Sequence, residues 1–182
     1  TAKAPHDHDH GPGRDDGPIA DHWAQAHRPD MAIAPALRAA RDARDVAGNV
    51  EAYYYLSLAL RSMRPGDVRA WDALREREAI LAAWGRRRAQ GADLRALLRL
   101  AAGDPEREVL ALGRLLRFYL DCGRTGRAEQ LFRRLAEQTG ALPGPGPHRA
   151  ALGELGSALM LARGRPDEAE RLAAEGLRHC PE

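Results

Sequence analysis

The sequence predicts an all-α protein made of antiparallel helical hairpins, and its second half carries most of the evidence. Four large side chains there recur at i, i+3, i+4 and i+7, which places them on one stripe of a helix. They are Leu112, Leu115, Leu116 and Tyr119. A second stripe with the same spacing consists of Ala128, Leu131, Phe132 and Leu135. Because residues 122–126 place glycines between the stripes, we expect two amphipathic helices that fold back on each other.

The same residues match the pattern of the tetratricopeptide repeat (TPR), in which a Trp, a Leu-Gly pair, a Tyr, an Ala and a Phe recur at fixed intervals. Leu112 takes the place of the Trp and Leu116 that of the Gly, while Tyr119, Ala128 and Phe132 keep the pattern. The chain therefore resembles TPR proteins. This resemblance implies a short right-handed solenoid of stacked hairpins, in which the first helix of each hairpin lines a concave surface.

A second unit of this kind follows near the C terminus. Ala169 lies 41 residues after Ala128, and the excess over the TPR length of roughly 34 residues is a Gly/Pro-rich insert at 141–147 that has no helical capacity. The clearest repeats are therefore 108–140 and 148–182. They belong to a TPR-like helical domain over residues 19–182, in which the resemblance is weak over 49–88 and absent before that.

Residues 1–18 differ from this domain, because they are rich in Asp, His, Gly and Pro and nearly free of apolar side chains. Such a composition cannot bury enough surface to fold, so we expect an extended polar N-terminal arm. Alternate side chains of an extended chain point to one side. His6, His8 and His10 can therefore converge on a divalent Zn, Cu or Ni ion. A polar tail with only adventitious metal affinity is the alternative interpretation.

The first helices of the domain have weaker patterns. Helices are expected over residues 19–27 and 35–47, and the second has a side of small alanines that implies close approach to a neighbour. In the third helix, Tyr53 and Tyr54 are expected to fill the core, while Tyr55 should stand apart from it.

Glycine and proline mark the remaining helix ends. A fourth helix is expected to carry Trp71 and Trp84 on its apolar stripe, to run to about residue 88 and to be closed by Gly91. A short helix follows, stopped by Gly103. The Asp-Pro-Glu sequence at 104–106 then combines an N-cap, a first-turn proline and an acidic residue near the positive end of the helix dipole, which predicts the start of the central hairpin.

Composition narrows the class of function. Lys+Arg 28 against Asp+Glu 26 leaves a formal net charge of +2, with charges interleaved along helices, so we predict no nucleic-acid binding. The best basic cluster, residues 86–88 with Arg95 and Arg99, fits solvated helix surface better than a binding stripe. No run approaches the ~20 apolar residues that span a bilayer, so a soluble protein is expected. Motifs such as G-x-S-x-G, H-E-x-x-H and G-x-x-x-x-G-K are missing, which predicts a non-enzymatic protein.

Two further observations concern the cysteines and the compartment. Cys122 and Cys180 should lie at opposite ends of antiparallel helices, too far apart for a disulfide, so two unpaired thiols are expected. The preference for arginine, alanine and glycine is typical of high-GC bacteria, and the chain begins without Met. Bacterial cytoplasm and periplasm, the latter with a processed N terminus, both stay open.

The TPR resemblance also assigns residues to the concave surface. Those of the central hairpin are Leu110, Gly113, Arg117, Leu120 and Asp121. Those of the last hairpin are Ala151, Glu154, Ala158 and Leu161. Arg117, Asp121 and Glu154 are expected to make the polar contacts to a bound peptide or helix, since a groove needs groups that fix the partner's backbone or terminus.

Three functional hypotheses follow. In the first, the protein is a non-catalytic scaffold or assembly factor that holds a segment of another protein in this groove. In the second, it is a metal-handling protein whose His-Asp arm captures the ion while the helical body docks on a recipient. In the third, it is a structural subunit of a larger complex, which should expose apolar faces when isolated.

Overall fold

The computed structural model describes residues 15–142 and 146–180 and confirms the all-α fold. Within these ranges every regular element is a helix. The helices are α1 (Asp16–Gln25), α2 (Pro29–Asp45), α3 (Asn49–Ser62), α4 (Ala70–Ala83), α5 (Arg87–Leu100), α6 (Pro105–Asp121), α7 (Thr125–Ala141), α8 (Pro147–Ala162) and α9 (Pro166–Leu177).

The chain divides into two compact units, the first ending at Arg86 and the second beginning at Arg87. The sequence pattern predicts one helical domain over residues 19–182. In the first unit, α1 packs on α2, α2 on α3 and α3 on α4, and α1 also contacts α3. In the second, α5 packs on α6, and α6 to α9 repeat the scheme of α1 to α4, with α6 also contacting α8. Contacts within each hairpin and between the first helices of successive hairpins are those of stacked helical repeats.

The central hairpin, α6 and α7, forms as the sequence predicts. Leu112 and Leu116 of α6 are fully buried in one apolar cluster with Ala128 and Leu135 of α7. Burying a leucine side chain contributes roughly 1.5–3 kcal/mol, so this stripe holds the hairpin together. The start of α6 is capped by Asp104, whose carboxylate accepts a hydrogen bond from the backbone N–H three residues later at 3.1 Å.

The last hairpin, α8 and α9, is packed more tightly because glycines occupy its contact. A Cβ added to Gly153 would lie 2.5 Å from the Cα of Gly176 and 2.7 Å from the carbonyl oxygen of Leu172. Both distances are far below ordinary van der Waals contact, so only glycine lets the two backbones approach this closely. Leu159 of α8 is fully buried and joins the cluster of the central hairpin.

The first unit contains a hairpin, α1 and α2, in a region where the sequence shows no resemblance to the repeat. Ala20 of α1 and Ala36 of α2 are fully buried in one cluster, so small side chains let the two helices pack closely. Arg38 of α2 donates two hydrogen bonds to the carboxylate of Asp16, at 2.7 and 2.9 Å. These bonds hold the pKa of Asp16 below its usual value.

Two helix starts differ from the sequence prediction. Helix α1 begins at Asp16 rather than at 19, so residues 16–18 belong to a helix and not to the expected arm. Helix α2 begins at Pro29, whose fixed φ favours a first helical position. Pro35, expected to begin this helix, lies inside it. Because proline has no backbone N–H, the helix lacks one hydrogen bond there, and the ring is buried beside the alanines of α2.

The boundary between α4 and α5 also differs. The turn lies at Gly85, which has φ +66 and therefore adopts the left-handed conformation that favours glycine. Gly91, expected to close a helix, lies within α5 and is buried. A Cβ there would lie 3.1 Å from Cζ of Phe118, so this glycine serves the close packing of α5 on α6.

The aromatic residues of the first unit are placed differently from the prediction. Tyr54 is exposed, and its hydroxyl donates a hydrogen bond to Asp21 of α1 at 2.7 Å. Tyr55, expected to stand apart from the core, packs against two apolar clusters. Trp84, expected on an apolar stripe, is exposed at the end of α4 with its ring 5.3 Å from that of Tyr53. Proximity of α1 to α3 decides the orientation of the tyrosines, and no pattern within α3 contains that information.

The insert is shorter than predicted. Helix α7 extends to Ala141 and α8 begins at Pro147, so the ends of the 141–147 segment are helical. Residues 143–145 lie outside the described part of the chain. Cys122 and Cys180 are both free thiols, as expected.

Candidate partner-binding face

The residues that the sequence assigns to a binding surface lie on α6 and α8, and most of them are exposed. On α6, Leu110 and Arg117 are exposed, and Gly113 lies between them. On α8, Ala151 and Glu154 are exposed. The spacing on each helix is three or four residues, so each set forms one stripe.

The two stripes adjoin because α6 packs against α8. A Cβ at Gly113 would lie 3.4 Å from a methyl group of Leu155, so the small residue allows close approach of the helices. We call the surface formed by the two stripes the α6–α8 face. It consists of Leu110, Gly113, Arg117, Ala151, Glu154, Ala158 and Leu161.

An ion pair joins the two helices at the centre of this face. The guanidinium of Arg117 donates a hydrogen bond to the carboxylate of Glu154. The two side chains are 45% and 69% exposed, so the pair contributes at most about 1 kcal/mol to folding. Both groups keep free hydrogen-bonding capacity for a third molecule, since Arg has five N–H donors and a carboxylate has two acceptor oxygens.

Apolar side chains lie on either side of this pair. Leu110, on the N-terminal half of α6, is 40% exposed, and Leu161, at the C-terminal end of α8, is 60% exposed. Ala158 is half-buried beside them. The face therefore offers a polar centre between two apolar contacts, with small residues that leave room for side chains of a partner.

Two residues of the predicted set are placed elsewhere. Leu120 is half-buried and packs against the apolar cluster of the central hairpin, so it offers little surface to a partner. Asp121 is exposed at the end of α6, but its carboxylate lies 3.6 Å from Nη1 of Arg87 and faces α5 rather than α8. The spacing alone assigns both residues to the binding side, because it cannot tell which neighbour a helix end meets.

The predicted metal ligands, His6, His8 and His10, lie outside the described residues, so metal binding stays a prediction. In the part of the chain that the structure describes, His, Cys, Asp and Glu side chains do not form a group of three able to hold a metal ion. Among the helices of residues 15–142 and 146–180, none has the length and apolar composition that crossing a bilayer requires.

Solved structures with the same architecture support the repeat assignment. The TPR-like repeats of a kinesin light chain candidate from Podosopora anserina align with 93% of this chain and 96% of their own, with a TM-score of 0.69 and 17% identity. A one-residue variant of that protein gives a TM-score of 0.70, again with 17% identity, over 91% of this chain and 93% of its own. MamA protein aligns over 92% of this chain and 91% of its own, with a TM-score of 0.58 and 12% identity.

Sequence comparison adds nothing to this, since no family model and no curated protein matches the chain significantly. At identities of 12–17%, the structural likeness concerns the fold alone. The chain has a TPR-like helical-repeat fold, as the sequence pattern predicts.

Proposed function

We propose that this protein is a non-catalytic interaction protein, a scaffold or assembly factor, that holds a segment of a protein partner on the α6–α8 face. The observation that carries the proposal is the pair of adjoining exposed stripes on α6 and α8, joined by the Arg117–Glu154 ion pair and flanked by Leu110 and Leu161. Adjoining first helices of stacked hairpins form extended binding surfaces in repeat proteins.

The chemistry of the face indicates the kind of segment it suits. A partner would place apolar side chains against Leu110 and Leu161 and direct backbone or side-chain polar groups to Arg117 and Glu154. Such anchors at the centre of an interface carry most of the binding free energy. The small residues Gly113 and Ala151 let a peptide or helix come close to the protein backbone.

A charge-swap experiment tests this proposal. The purified chain is immobilised, a protein partner is captured from the native host, and that partner is then titrated against variants by surface plasmon resonance. Arg117→Glu should weaken binding at least about 30-fold, because it removes a central donor and places two carboxylates side by side. Arg133→Glu, at an exposed position of α7 that does not belong to the α6–α8 face, should bind like the wild type.

A double variant separates loss of binding from loss of structure. Arg117→Glu with Glu154→Arg restores an ion pair between α6 and α8 but reverses its direction, so folding should recover while binding should not. If the double variant, or Arg117→Glu itself, binds the partner as the wild type does, the α6–α8 face is not the binding site.

A further inference from the structure

A strongly basic cavity lies in the second unit, away from the centre of the α6–α8 face. It has a volume of about 530 Å³ and is formed where α5, the end of α6 and the start of α7 meet. Five of its lining residues are arginines, and we call it the arginine pocket. They are Arg87, Arg88, Arg95, Arg124 and Arg127.

The positive charge of this pocket is largely uncompensated. Asp121 is the single carboxylate that lines it, so five cations face one anion. The Asp121 carboxylate lies 3.6 Å from Arg87. Among the described residues, no carboxylate pairs with Arg88, Arg95 or Arg124, and all three side chains are exposed. The pocket thus carries a formal excess of four positive charges.

Several arginines elsewhere in the chain are paired closely with a carboxylate. Arg38, Arg69 and Arg163 each contact a carboxylate within 3 Å. Grouping cations around one cavity raises the free energy of the unliganded protein through repulsion, and an anion that enters the cavity removes that repulsion. The arrangement therefore favours a ligand of high negative charge.

The pocket is held in shape by the packing beneath it. Phe118, which is buried, forms part of the lining, and α5 lies close to it because Gly91 has no side chain in the way. The guanidinium of Arg127 lies 5.7 Å from the ring centre of Tyr119, within the range of a cation–π contact. Such a contact orients the guanidinium and leaves N–H groups at its edge free to bind an anion.

We propose that the arginine pocket binds a compact polyanion that carries two or more phosphate groups. Each phosphate ester carries about 1.5–2 negative charges at neutral pH, so two of them match the excess of four. Four separate carboxylates would be needed for the same charge. The planar fork of arginine also fits phosphate oxygens in a bidentate manner.

The geometry disfavours a nucleic-acid strand as the ligand. A strand needs a basic track along which successive phosphates are contacted, whereas these arginines converge on one cavity of a size usual for small ligands. Arg87 and Arg88 lie in the first turn of α5 and Arg124 directly precedes α7, so two helix N-termini add partial positive charge. This proposal does not depend on the α6–α8 face.

Isothermal titration calorimetry of the whole chain with inorganic tripolyphosphate tests the proposal. One site per chain should saturate, and the affinity should fall at least about tenfold between 50 and 200 mM salt. Arg95→Glu with Arg124→Glu should weaken binding at least about 100-fold. The control, Arg99→Glu with Arg133→Glu, changes the net charge equally at positions of α5 and α7 outside the pocket, and should stay within about threefold of the wild type.

Three results would overturn the proposal. The first is binding without saturation or with several sites. The second is equal weakening by the pocket variant and the control, which would indicate diffuse attraction to a basic surface. The third is a tetraglutamate peptide that binds as tightly as tripolyphosphate, which would remove the assignment to phosphate. Circular dichroism of each variant checks its folding, and Arg95→Gln with Arg124→Gln replaces the charge reversal if that variant unfolds.

Discussion

Replacing Gly153 with alanine tests the close packing of the last hairpin. The added Cβ would lie 2.5 Å from Cα of Gly176, 2.7 Å from the carbonyl oxygen of Leu172 and 2.8 Å from the amide nitrogen of Gly176. Carbon atoms normally approach to about 3.5–4.0 Å, so α8 and α9 would have to separate by roughly 1 Å. The obstacle is the backbone of α9, which cannot move aside as a flexible side chain does.

The expected size of the effect follows from two opposing contributions. Overpacking costs about 1–3 kcal/mol and occasionally more, and a backbone obstacle favours the upper end of that range. Alanine gains up to about 1 kcal/mol over glycine in helix propensity. Gly153→Ala should therefore destabilise the α8–α9 hairpin by about 2 kcal/mol. Gly126→Ala is the matched control, because nothing lies within 4 Å of its Cβ position in α7, and it should stabilise by a few tenths to about 1 kcal/mol.

Hydrogen exchange followed by mass spectrometry measures this directly, since peptides covering α9 report the local free energy of opening. Gly153→Ala should lose about 30-fold in protection over α9, as 2 kcal/mol implies, while Gly126→Ala should not lose any. Protection over α9 that is unchanged in Gly153→Ala would refute the close approach of the two helices.

Two further predictions concern the first unit. Gly17→Ala should lower the free energy of unfolding in urea by about 1–2 kcal/mol, because the added Cβ would collide with the hydroxyl of Tyr55. Adding Tyr55→Phe should recover part of that loss. If the double variant recovers no stability, the contact between the two residues is contradicted. The Asp16–Arg38 pair should contribute its full stabilisation of the folded state at neutral pH, because the pKa of Asp16 is lower in the folded state than in the unfolded chain. This contribution should be lost as the pH falls from about 4, the unfolded value, through the lowered folded pKa. The difference in stability between wild type and Arg38→Gln should therefore shrink in acid, and a difference that grows there would contradict this account.

The sequence predicts the central hairpin well because its signals are local and strong. Leu112 and Leu116 recur at helical spacing with large side chains, and the cap at Asp104 fixes where α6 starts. Hydrophobic periodicity depends only on the order of residues along the chain, so it can be recognised without knowledge of tertiary contacts. The TPR-like assignment depends on these residues and is confirmed.

The features that sequence reasoning misses are decided by contacts between helices. In the sequence, Gly91 cannot be distinguished from a glycine that ends a helix. In the structure it lies inside α5, where its lack of a side chain leaves space for the ring of Phe118. Tyr54 and Tyr55 exchange their expected roles because α1 packs beside α3, where Asp21 accepts a hydrogen bond from Tyr54. The small alanines of α2 indicate that another helix packs closely against it, but they do not indicate which helix this is.

The same difference between local signals and contacts between helices applies to the α6–α8 face. Spacing along α6 and α8 correctly brings Arg117 and Glu154 to the surface, but their pairing with each other depends on the distance between two helices that are far apart in sequence. The sequence does not predict the arginine pocket for the same reason. Arg95 lies in α5 and Arg124 lies just before α7, and the run of arginines at 86–88 resembles ordinary solvated surface when it is considered alone.

Site-specific photocrosslinking tests most directly whether the α6–α8 face holds a partner. A benzophenone amino acid is placed at Ala151, on that face, or at Ala174, an exposed alanine of α9 outside it, and each protein is irradiated in extract of the native host. A single protein adduct at Ala151 that is absent at Ala174 and lost in Arg117→Glu is the expected result. Equal adducts at both positions, or an adduct at Ala151 that Arg117→Glu does not change, would contradict the proposed function.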